Sequence, residues 1–561
     1  MARADCNTKR VNGMLDRKAI AAAGLLAALS VAISAVGAAP PPDATPDDPD
    51  TLVVGPRQFL DALKPWVAHR TQQGHKLGFV SSEFSADEIR EAIRESARSG
   101  KLRTVVILGD AEPVRDAKVR ARCTPTHHVR AKVNVQWGSE PEIATDNWYA
   151  DLNGDDVPDL AIGRIPADSP EELRTIVGKI LAYERSNDFG IWRRRINFVA
   201  GVGGFGAVTD ALLETATKKF LTDGIPAGYA TTMTYGSWQS PYCPDPRYFR
   251  EASLERLNEG CLFWVYIGHG QKTELDRIRV PGRTYAILSN NDMPLVAAQA
   301  GSPVAVFLAC YTAAFDQPRD CLAEELLRAP KGPVAVLGGT RVTMPYAMSI
   351  LGTNLMNECF QEQVETLGEM ILNAKRGLIR PDDSLNRKFI DLAASLLSPS
   401  GDQLEAERIE HLHLFNLIGD PLLRIRAPLQ VEMPDLPDTL AGSKISLQCR
   451  SPIAGRCIVE LTCRRDRLRF APPERLEYVG SDEELAGYAD TYQQANQHQW
   501  TTLELDVPQG PFSVELAVPP EVSGANHIRV FVQGERSHAI GTTAIFVETP
   551  PVVTSKSHSQ R

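Results

Sequence analysis

The stretch from residue 261 to 270, CLFWVYIGHG, decides the fold of this chain. Its first seven residues, 261–267, form a continuous apolar run that stops at Gly268-His269-Gly270. A second such run at 303–309, PVAVFLA, stops at Cys310. Short continuous runs of Val, Ile, Leu and aromatic residues are typical of strands buried on both faces, as in parallel sheets covered by helices. The two runs therefore predict neighbouring parallel strands in an α/β protein.

The same pattern continues on both sides of this stretch. Ser85 and Glu88 have the spacing of a helix capping box, and Ser169-Pro170 has the form of a helix start. Strands alternating with helices indicate an α/β body with a parallel sheet, which we divide into two subdomains at residues 52–194 and 195–427. The apolar runs of this body lie at 52–54, 76–80, 103–108, 196–200, 230–234 and 333–337, and its helical segments include 56–73, 85–99, 170–184, 207–221, 322–328, 349–374 and 384–397.

The composition changes at residues 428–437, which are rich in Pro. Beyond this point, short alternating segments separated by Pro and Gly turns predict strands and no helix. Their number and spacing favour an Ig-like β-sandwich over residues 428–549, followed by a polar, disordered tail at 550–561. The sandwich contains Cys449, Cys457 and Cys463, two of which could pair in an exported protein.

The N-terminal residues 1–39 have the features of a secretory signal peptide. Four basic residues between positions 9 and 18 precede an apolar segment at 19–39 that ends in small residues. An uncleaved anchor is the alternative, because such a segment could just span a bilayer. A Pro- and Asp-rich linker follows at 40–51, and no later segment is apolar enough to span a membrane. We therefore expect an exported protein, either secreted, periplasmic or at the cell surface.

Length and charge exclude several classes of protein. With 561 residues, 43% of them hydrophobic and 23% charged, the chain is a globular protein of several domains. A net charge of −10 argues against a nucleic-acid partner, since duplex binding depends on Lys and Arg. Ten cysteines are too few for a disulfide scaffold of this length. The oligomeric state is left open.

Residues 201–206 contain the pattern GxGxxG between a strand and a helix, the position of a dinucleotide pyrophosphate site. No acidic residue ends the next strand to hold a ribose, and an exported enzyme would meet little NAD. We therefore interpret Gly201, Gly203 and Gly206 as a tight turn, and we expect no organic cofactor.

The acidic loop 151–159, DLNGDDVPD, has oxygen side chains at its first, third, fifth and ninth positions. Asp151, Asn153, Asp155 and Asp159 could bind a structural calcium ion, which prefers six to eight oxygen ligands. The loop is not an EF-hand, because Ile162 stands where a bidentate Glu would be needed. The alternative is a surface turn stabilised by its own Asx side chains.

His269 and Cys310 are the candidate catalytic pair. Reacting groups collect at the carboxyl ends of strands in open α/β sheets, and these residues follow two strands expected to be neighbours. A thiol is a weak nucleophile until a base takes its proton, and His is the usual base. The glycines beside His269 suit a backbone that approaches a substrate closely. Alternatively, each residue has a purely structural role, as buried Cys and isolated His usually do.

A strand ending in Gly-His-Gly, followed about forty residues later by one ending in Ala-Cys, resembles the cysteine peptidases of clan CD, which include caspases. The wider match is to the gingipain-type family, peptidase family C25, over residues 53–426. The segments that carry it are LGD at 108–110, YADLNGDDVPDLAIGRIP at 149–166, YE at 183–184, YIGHG at 266–270, LACYT at 308–312, FD at 315–316, LAEELL at 322–327, GGTR at 338–341 and LIGDP at 417–421.

This resemblance implies a caspase-like fold and hydrolysis of a protein or peptide substrate through a thioacyl enzyme. It makes Cys310 the nucleophile and His269 the general base and acid, with the N–H groups of Gly270 and Cys310 as the oxyanion hole. It also makes the acidic loop similar to one that binds calcium in some relatives. Ala313 departs from the Gly common in the family, and its methyl group could narrow the cleft. The alternative function is a catalytically silent caspase-fold protein used for binding or cell-surface assembly.

Overall fold

The computed structural model describes residues 48–111, 121–202, 224–397 and 401–549. The predicted signal peptide, most of the predicted linker, the predicted helix at 207–221 and the polar tail lie outside the described residues. In the described ranges, no helix combines the length and the apolar character that a membrane crossing requires.

A ten-stranded sheet runs through the whole α/β body. The strands of this part of the chain are β1 (Thr51–Gly55), β2 (Leu77–Ser81), β3 (Thr104–Leu108), β4 (His127–Arg130), β5 (Glu142–Thr145), β6 (Ala161–Ile165), β7 (Arg195–Ala200), β8 (Ala230–Tyr235), β9 (Phe263–Ile267), β10 (Arg277–Val280), β11 (Arg283–Ala286), β12 (Val304–Leu308), β13 (Ala335–Gly339) and β14 (Phe415–Ile418). The large sheet has the order β2-β1-β3-β6-β14-β13-β12-β9-β7-β8, while β4–β5 and β10–β11 form separate antiparallel pairs.

The two predicted subdomains share this one sheet. Within each half the strands are parallel, which confirms the predicted parallel-sheet body. The halves are joined by β14, which the sequence did not predict: it pairs parallel to β6 and antiparallel to β13. Because of that single antiparallel pairing, the strands of one half run opposite to those of the other.

Helices cover the sheet, and two of them start at the predicted signals. Ser85 and Glu88 form the predicted capping box, and Ser169 accepts a hydrogen bond from the N–H of Glu172 ahead of a helix that begins with Pro170. The helices of the body are α1 (Leu60–Gln72), α2 (Ala86–Ala97), α3 (Asn147–Ala150), α4 (Pro170–Arg185), α5 (Phe249–Asn258), α6 (Leu322–Arg328), α7 (Pro345–Phe360), α8 (Leu367–Ile379), α9 (Leu385–Leu397) and α10 (Leu404–Leu414).

Residues from 429 onward form a β-sandwich around a core of their own, as predicted at the level of architecture. One sheet has the order β15-β22-β21-β18-β19, with β16 also paired to β22, and the other consists of β17 and β20. Side chains along β17 alternate between exposed and buried, the pattern of a strand with one face on a core. The strands are β15 (Leu429–Gln430), β16 (Thr439–Leu440), β17 (Lys444–Ser451), β18 (Gly455–Cys463), β19 (Gln499–Val507), β20 (Gly510–Ala517), β21 (Gly524–Gln533) and β22 (His538–Glu548).

One expectation for this domain was wrong. The segment Asp482–Ala495 is a helix, α11, although we expected none here. Ser481 caps it by accepting a hydrogen bond from the N–H of Glu484. Three acidic residues occupy its first turn, where their negative charges interact favourably with the positive end of the helix dipole. Whether two of the three sandwich cysteines pair was left open by the sequence, and in the structure all nine cysteines of the described ranges are free thiols.

The sandwich contacts the α/β body along a surface that we call the domain interface, formed by α11 and β18 against β8 and Arg194. The Asn496 side chain accepts the N–H of Met233 at 2.7 Å and donates to its carbonyl at 3.0 Å, so that it pairs with the edge strand β8. On β18, the buried Glu460 carboxylate binds Arg194 at 2.9 Å and Arg529 at 2.5 Å. The last strand of the large sheet is therefore covered rather than left open.

Candidate active site

His269 and Cys310 follow neighbouring strands at the same level. β9 and β12 pair in parallel, with Ile267 opposite Leu308, a register difference of 308 − 267 = 41 residues. His269 and Cys310 are also 310 − 269 = 41 residues apart, so both side chains emerge two residues beyond the last paired residues. The structure thus brings the predicted pair to one edge of the sheet.

The turn that carries His269 is fixed through its backbone. Gly268 has φ +152°, and a Cβ there would lie 2.8 Å from the hydroxyl oxygen of Tyr266. That hydroxyl donates to the carbonyl of His269 at 2.8 Å, and the N–H of Asp276 donates to the same carbonyl at 3.1 Å. The position of the imidazole is therefore defined by backbone contacts that need glycine at 268.

Gly270 packs directly on the turn that carries Cys310. A Cβ at Gly270 would lie 2.5 Å from the carbonyl oxygen of Cys310, 2.8 Å from Thr312 Cγ2 and 3.0 Å from Ala309 Cβ. Those distances are too short for any side chain, so glycine is required here for contact between the two turns. This contact explains the second glycine of the Gly-His-Gly motif.

The Cys310 thiol lies against the loop after β13. Its Sγ accepts the N–H of Thr343 at 3.3 Å and lies 3.7 Å from the carbonyl of the same residue. Burial raises the pKa of this thiol, and the hydrogen bonds from Thr343 offset the increase only in part. Of the nine cysteines in the described ranges, the other eight are buried, whereas Cys310 is partly accessible. The accessible thiol is thus protonated at neutral pH and needs a base to become reactive.

The residue after the nucleophile candidate has an unusual backbone. Tyr311 has φ +57°, a left-handed conformation that is uncommon for residues other than glycine. Its N–H donates to the carbonyl of Arg341 at 3.1 Å, and its hydroxyl donates to Glu140 at 2.7 Å. Lys272 lies 3.3 Å from the other oxygen of Glu140. Strained conformations of this kind cluster at functional sites, where the surrounding contacts hold them in place.

An ion pair between Asp316 and Arg341 holds the loop that follows Cys310. Arg341 binds the Asp316 carboxylate through two nitrogens, at 2.9 and 2.6 Å, and His128 contacts the same carboxylate at 3.0 Å. Although burial opposes it, contacts with His128 and Arg341 lower the pKa of Asp316 well below its usual range. Ala313, where we expected a methyl group to narrow the cleft, is fully buried. We call the three turns at 268–270, 310–312 and 338–343 the strand-end rim.

Sequence reasoning missed Glu140, Lys272 and Thr343, which complete the surroundings of the rim. None of the three belongs to a local motif. Glu140 contacts Tyr311 and Lys272, and Thr343 contacts Cys310, in each case across at least 33 residues of sequence, so only the folded structure reveals these contacts. The pair Asp316–Arg341 could have been suspected, because both residues occur in segments that carry the family resemblance.

The acidic loop satisfies its own side chains in this structure. Asp151 accepts the N–H of Gly154 at 2.7 Å and contacts Arg90, while Asp159 accepts the N–H of Leu152 at 2.9 Å. Asn153 and Asp155 bond to each other. Over the ranges that the structure describes, these carboxylates do not form a group of three within 4.8 Å of one another. The donors fit calcium in chemistry but converge incompletely, and calcium binding here stays a prediction.

Gly201, the first glycine of the GxGxxG pattern, and the buried His411 both make hydrogen bonds inside the body. The N–H of Gly201 donates to the carbonyl of Ile267 at 2.9 Å, so this glycine supports the end of β9, while Gly203 and Gly206 lie outside the described residues. His411 is fully buried between the N–H of Met344 and the carbonyl of Glu407, and burial lowers its pKa to about 4.

Comparison with known proteins identifies the family of this chain. The model of peptidase family C25 matches residues 44–426, more than half of the chain. Lys-gingipain of Porphyromonas gingivalis is 24% identical over 304 residues, which make up 52% of this chain and 15% of that protein. Gingipain R1 of the same organism is 20% identical over 438 residues, or 73% of this chain and 39% of that protein.

The crystal structure of the Arg-specific cysteine proteinase gingipain R covers 91% of this chain and all of that chain, with 16% identity and a TM-score of 0.49. The chain spans less than half the length of both gingipains compared by sequence. The residues that the family model matches include the whole ten-stranded sheet and the strand-end rim. The chain belongs to peptidase family C25.

Proposed function

We propose that this protein is an exported cysteine endopeptidase that hydrolyses peptide bonds through Cys310 and His269. The observation that carries the proposal is the shared register of β9 and β12, which delivers a partly accessible thiol and an imidazole to the same edge of the sheet. Membership of peptidase family C25 supports the reaction class, and the basic and apolar N-terminal segment supports export.

In the proposed mechanism His269 takes the proton of the Cys310 thiol as the sulfur attacks the scissile carbonyl carbon. The carbonyl oxygen becomes an oxyanion, which the N–H groups of Gly270 and Cys310 stabilise. The intermediate collapses to a thioester when the C–N bond breaks, and His269 gives its proton to the departing amine. Water, deprotonated by His269, then hydrolyses the thioester and restores the thiol.

The raised pKa of the thiol fits this assignment. Burial keeps Cys310 in its neutral form, so the thiolate forms only when a base accepts the proton at the moment of attack. The close contact of Gly270 with the Cys310 turn supports the placement of both oxyanion donors on one surface. A methyl group at Gly270 would separate the turns and misplace these donors.

The substrate class follows from the reaction: a protein or peptide in extended form, with no nucleic-acid partner. A calcium ion on the acidic loop 151–159 is the metal that the sequence predicts, and its role would be structural because the loop contributes no group to the rim.

The decisive experiment uses a peptidyl thiol-reactive probe on the full chain. The probe should label Cys310 at least about 100-fold faster than the other cysteines of the described ranges, because those eight thiols are buried and the proposed base follows the neighbouring strand. Cys310→Ala should abolish both labelling and peptide cleavage, whereas Cys449→Ala, a buried cysteine of the sandwich, should change neither. Cleavage by the Cys310→Ala protein would refute the proposal.

The catalytically silent alternative gives a different result. A protein kept for binding or assembly would show no cleavage of a peptide library, and its Cys310 would react with the probe no faster than a free thiol. A peptide library also reveals the residue preferred before the scissile bond.

A further inference from the structure

A cavity at the domain interface is lined mainly by basic side chains. Its volume is about 230 Å³, and its walls come from β8 and the turn before it on one side and from the sandwich on the other. The basic residues of the wall are Arg464, Arg465, Arg529, His498 and His527. None of the described residues that line the cavity is acidic. A small cavity lined by one sign of charge concentrates ions of the opposite sign, so this lining favours an anion.

Arg529 on β21 has a donor left for a ligand. Only 4% of this residue is exposed. Its Nε binds Glu460 at 2.5 Å and its Nη1 donates to the carbonyl of Tyr229 at 3.4 Å, whereas Nη2 makes no hydrogen bond in the described structure. Arg529 lines the cavity. Because a guanidinium N–H that is buried without an acceptor is costly, a ligand in the cavity would supply the acceptor that Nη2 lacks.

Positive charge exceeds negative charge beside this donor. The Glu460 carboxylate is shared between Arg529 and Arg194, at 2.5 and 2.9 Å, so one positive charge within this group of three is unbalanced. Burial lowers the pKa of His498 to about 4, and the charges of Arg529 and Arg465 lower it further in the same direction. Charges that repel a proton from an imidazole attract an anion to the same place.

A metal ion is the alternative, because the cavity also contains a thiol. Cys463 Sγ lies 3.6 Å from Nδ1 of His498, and together with His527 these residues are the types that bind zinc. Over the ranges that the structure describes, however, the three side chains do not bring their ligand atoms within 4.8 Å of one another. The neighbouring guanidinium groups would also repel a cation.

We propose that this cavity binds one small oxyanion, such as sulfate or phosphate. The flat fork of a guanidinium group matches the paired oxygens of such an ion, and the imidazoles and hydroxyls of the wall offer further hydrogen bonds. The hydroxyl groups belong to Thr231 of β8 and Thr462 of β18, so the ion would contact both domains. Pockets for larger organic ligands have volumes of about 300–1,000 Å³, and this cavity is smaller.

The position of the cavity makes the ion a link between the domains. Arg465 of the sandwich donates to the carbonyls of Pro226 and Tyr229 of the body, at 2.6 and 2.8 Å, and Arg529 donates to the second of these carbonyls. These carbonyls belong to the turn that leads into β8. An ion held by the same arginines would therefore stabilise the contact of the sandwich with the edge strand of the large sheet.

The test measures binding without turnover. The full chain carrying Cys310→Ala, which prevents self-cleavage, is dialysed into NaCl and titrated calorimetrically with sodium sulfate or sodium phosphate at constant ionic strength. At least one of the two ions should bind at a single saturable site with a Kd below about 1 mM. Arg529→Gln removes the donor and its charge and should weaken binding at least about tenfold. Ala227→Leu, which fills the cavity from the body side, should do the same and decides the test if Arg529→Gln fails to fold.

The matched control is Arg456→Gln, which removes an exposed guanidinium group of β18 outside the cavity and should leave the Kd within about twofold. The proposal is overturned if neither ion binds saturably, if the Arg529→Gln and Ala227→Leu proteins keep the full affinity, or if Arg456→Gln weakens binding as much as they do. A Tm that rises with sulfate equally in all variants would be the general salting-out effect and would also overturn it. Tight binding of ZnCl₂ that is lost in Cys463→Ser would assign the cavity to a metal instead. Because no cleavage is measured, these outcomes are independent of whether the protein is a peptidase.

Discussion

At the strand-end rim the candidate catalytic groups lie on tightly packed turns, whereas at the domain interface buried charged side chains are paired with opposite charges. A Cβ added at Gly270 would lie only 2.5 Å from the carbonyl oxygen of Cys310. At the interface, the Glu460 carboxylate binds two buried guanidinium groups. Close backbone contacts at glycine position the turns of the two catalytic candidates, whereas a buried ion pair links the two domains at the interface. Substitutions in the first should therefore change chemistry, and substitutions in the second should change stability.

The largest expected effect is that of His269→Ala on catalysis. Loss of the proposed base should lower kcat/KM by about 10⁴-fold or more, since a protonated thiol is a weak nucleophile. The Tm should change by less than about 2 °C, because the side chain is partly exposed. Steady-state kinetics and calorimetry provide both values, with His75→Ala as the control. A large fall in Tm would contradict the separation between rim and interface.

Glu460→Gln should have the largest effect on stability. It leaves Arg194 and Arg529 buried without a full countercharge, and removing one partner of a buried pair costs about 3–5 kcal/mol. The kcat of the folded protein should remain within about twofold of wild type. Chemical denaturation measures the loss, and Glu504→Gln, which removes an exposed pair with Arg456, should cost far less. An equal loss of unfolding free energy in both variants would show that the buried pair stabilises the protein no more than the exposed pair does.

Gly270→Ala should sharpen the comparison from the side of the rim. The added methyl group must push the His269 and Cys310 turns apart, which should lower kcat about 100-fold while KM changes little, because the proposed oxyanion donors act mainly in the transition state. Gly178→Ala on α4, where a Cβ meets no atom within 4 Å, is the matched control and should retain full activity. Full activity of the Gly270→Ala protein would contradict the assignment of the Gly270 and Cys310 N–H groups as the oxyanion hole.

The thiol itself should show a simple pH dependence once its base is removed. Burial raises the pKa of Cys310, so its protonated form persists to higher pH, and the thiolate fraction increases about tenfold per pH unit below the pKa. In the His269→Ala protein, alkylation by iodoacetamide should accelerate about tenfold per unit from pH 7 to pH 9. A plateau below pH 8.5 would mean that the thiol is activated by another group.

The smallest expected effect is that of Tyr492→Phe at the domain interface. It removes a hydroxyl that bonds to Thr234 at 2.7 Å and accepts from Arg256 at 2.9 Å but keeps the ring, which should cost about 1–2 kcal/mol of unfolding free energy. Denaturation should show this loss with unchanged cleavage kinetics. Tyr248→Phe, an exposed tyrosine of the body, is the control and should lose less than about 0.5 kcal/mol.

The same comparison explains what the sequence could predict. The two apolar runs that end at His269 and Cys310 predicted adjacent strands, because burial on both faces leaves a local pattern and the family blocks fix their order. The capping box at Ser85 and the helix start at Ser169-Pro170 were predicted for the same reason, since their signals lie within four residues.

Other features depend on contacts between distant residues. Strand β14 has four residues and a short apolar pattern that could equally continue helix α10, so only pairing with β6 and β13 defines it. Thr343 reaches the Cys310 thiol from a loop 33 residues away. Helix α11 was missed although Ser481 and three acidic residues mark its start, because the strands around it favoured an all-β reading.

The position of strand β14 near the end of the body determines when the large sheet can fold during synthesis. The sheet closes only when residues 415–418 pair with β6 and β13, and Asp420 then accepts hydrogen bonds from Trp66 and Arg70, about 350 residues upstream. Contacts so distant in sequence form slowly and cannot form before the ribosome has produced almost the whole body. A nascent or truncated chain that ends before residue 415 would expose two unpaired sheet edges, which are sites of aggregation. The two halves of the sheet can therefore join only after residues 415–418 have been synthesised.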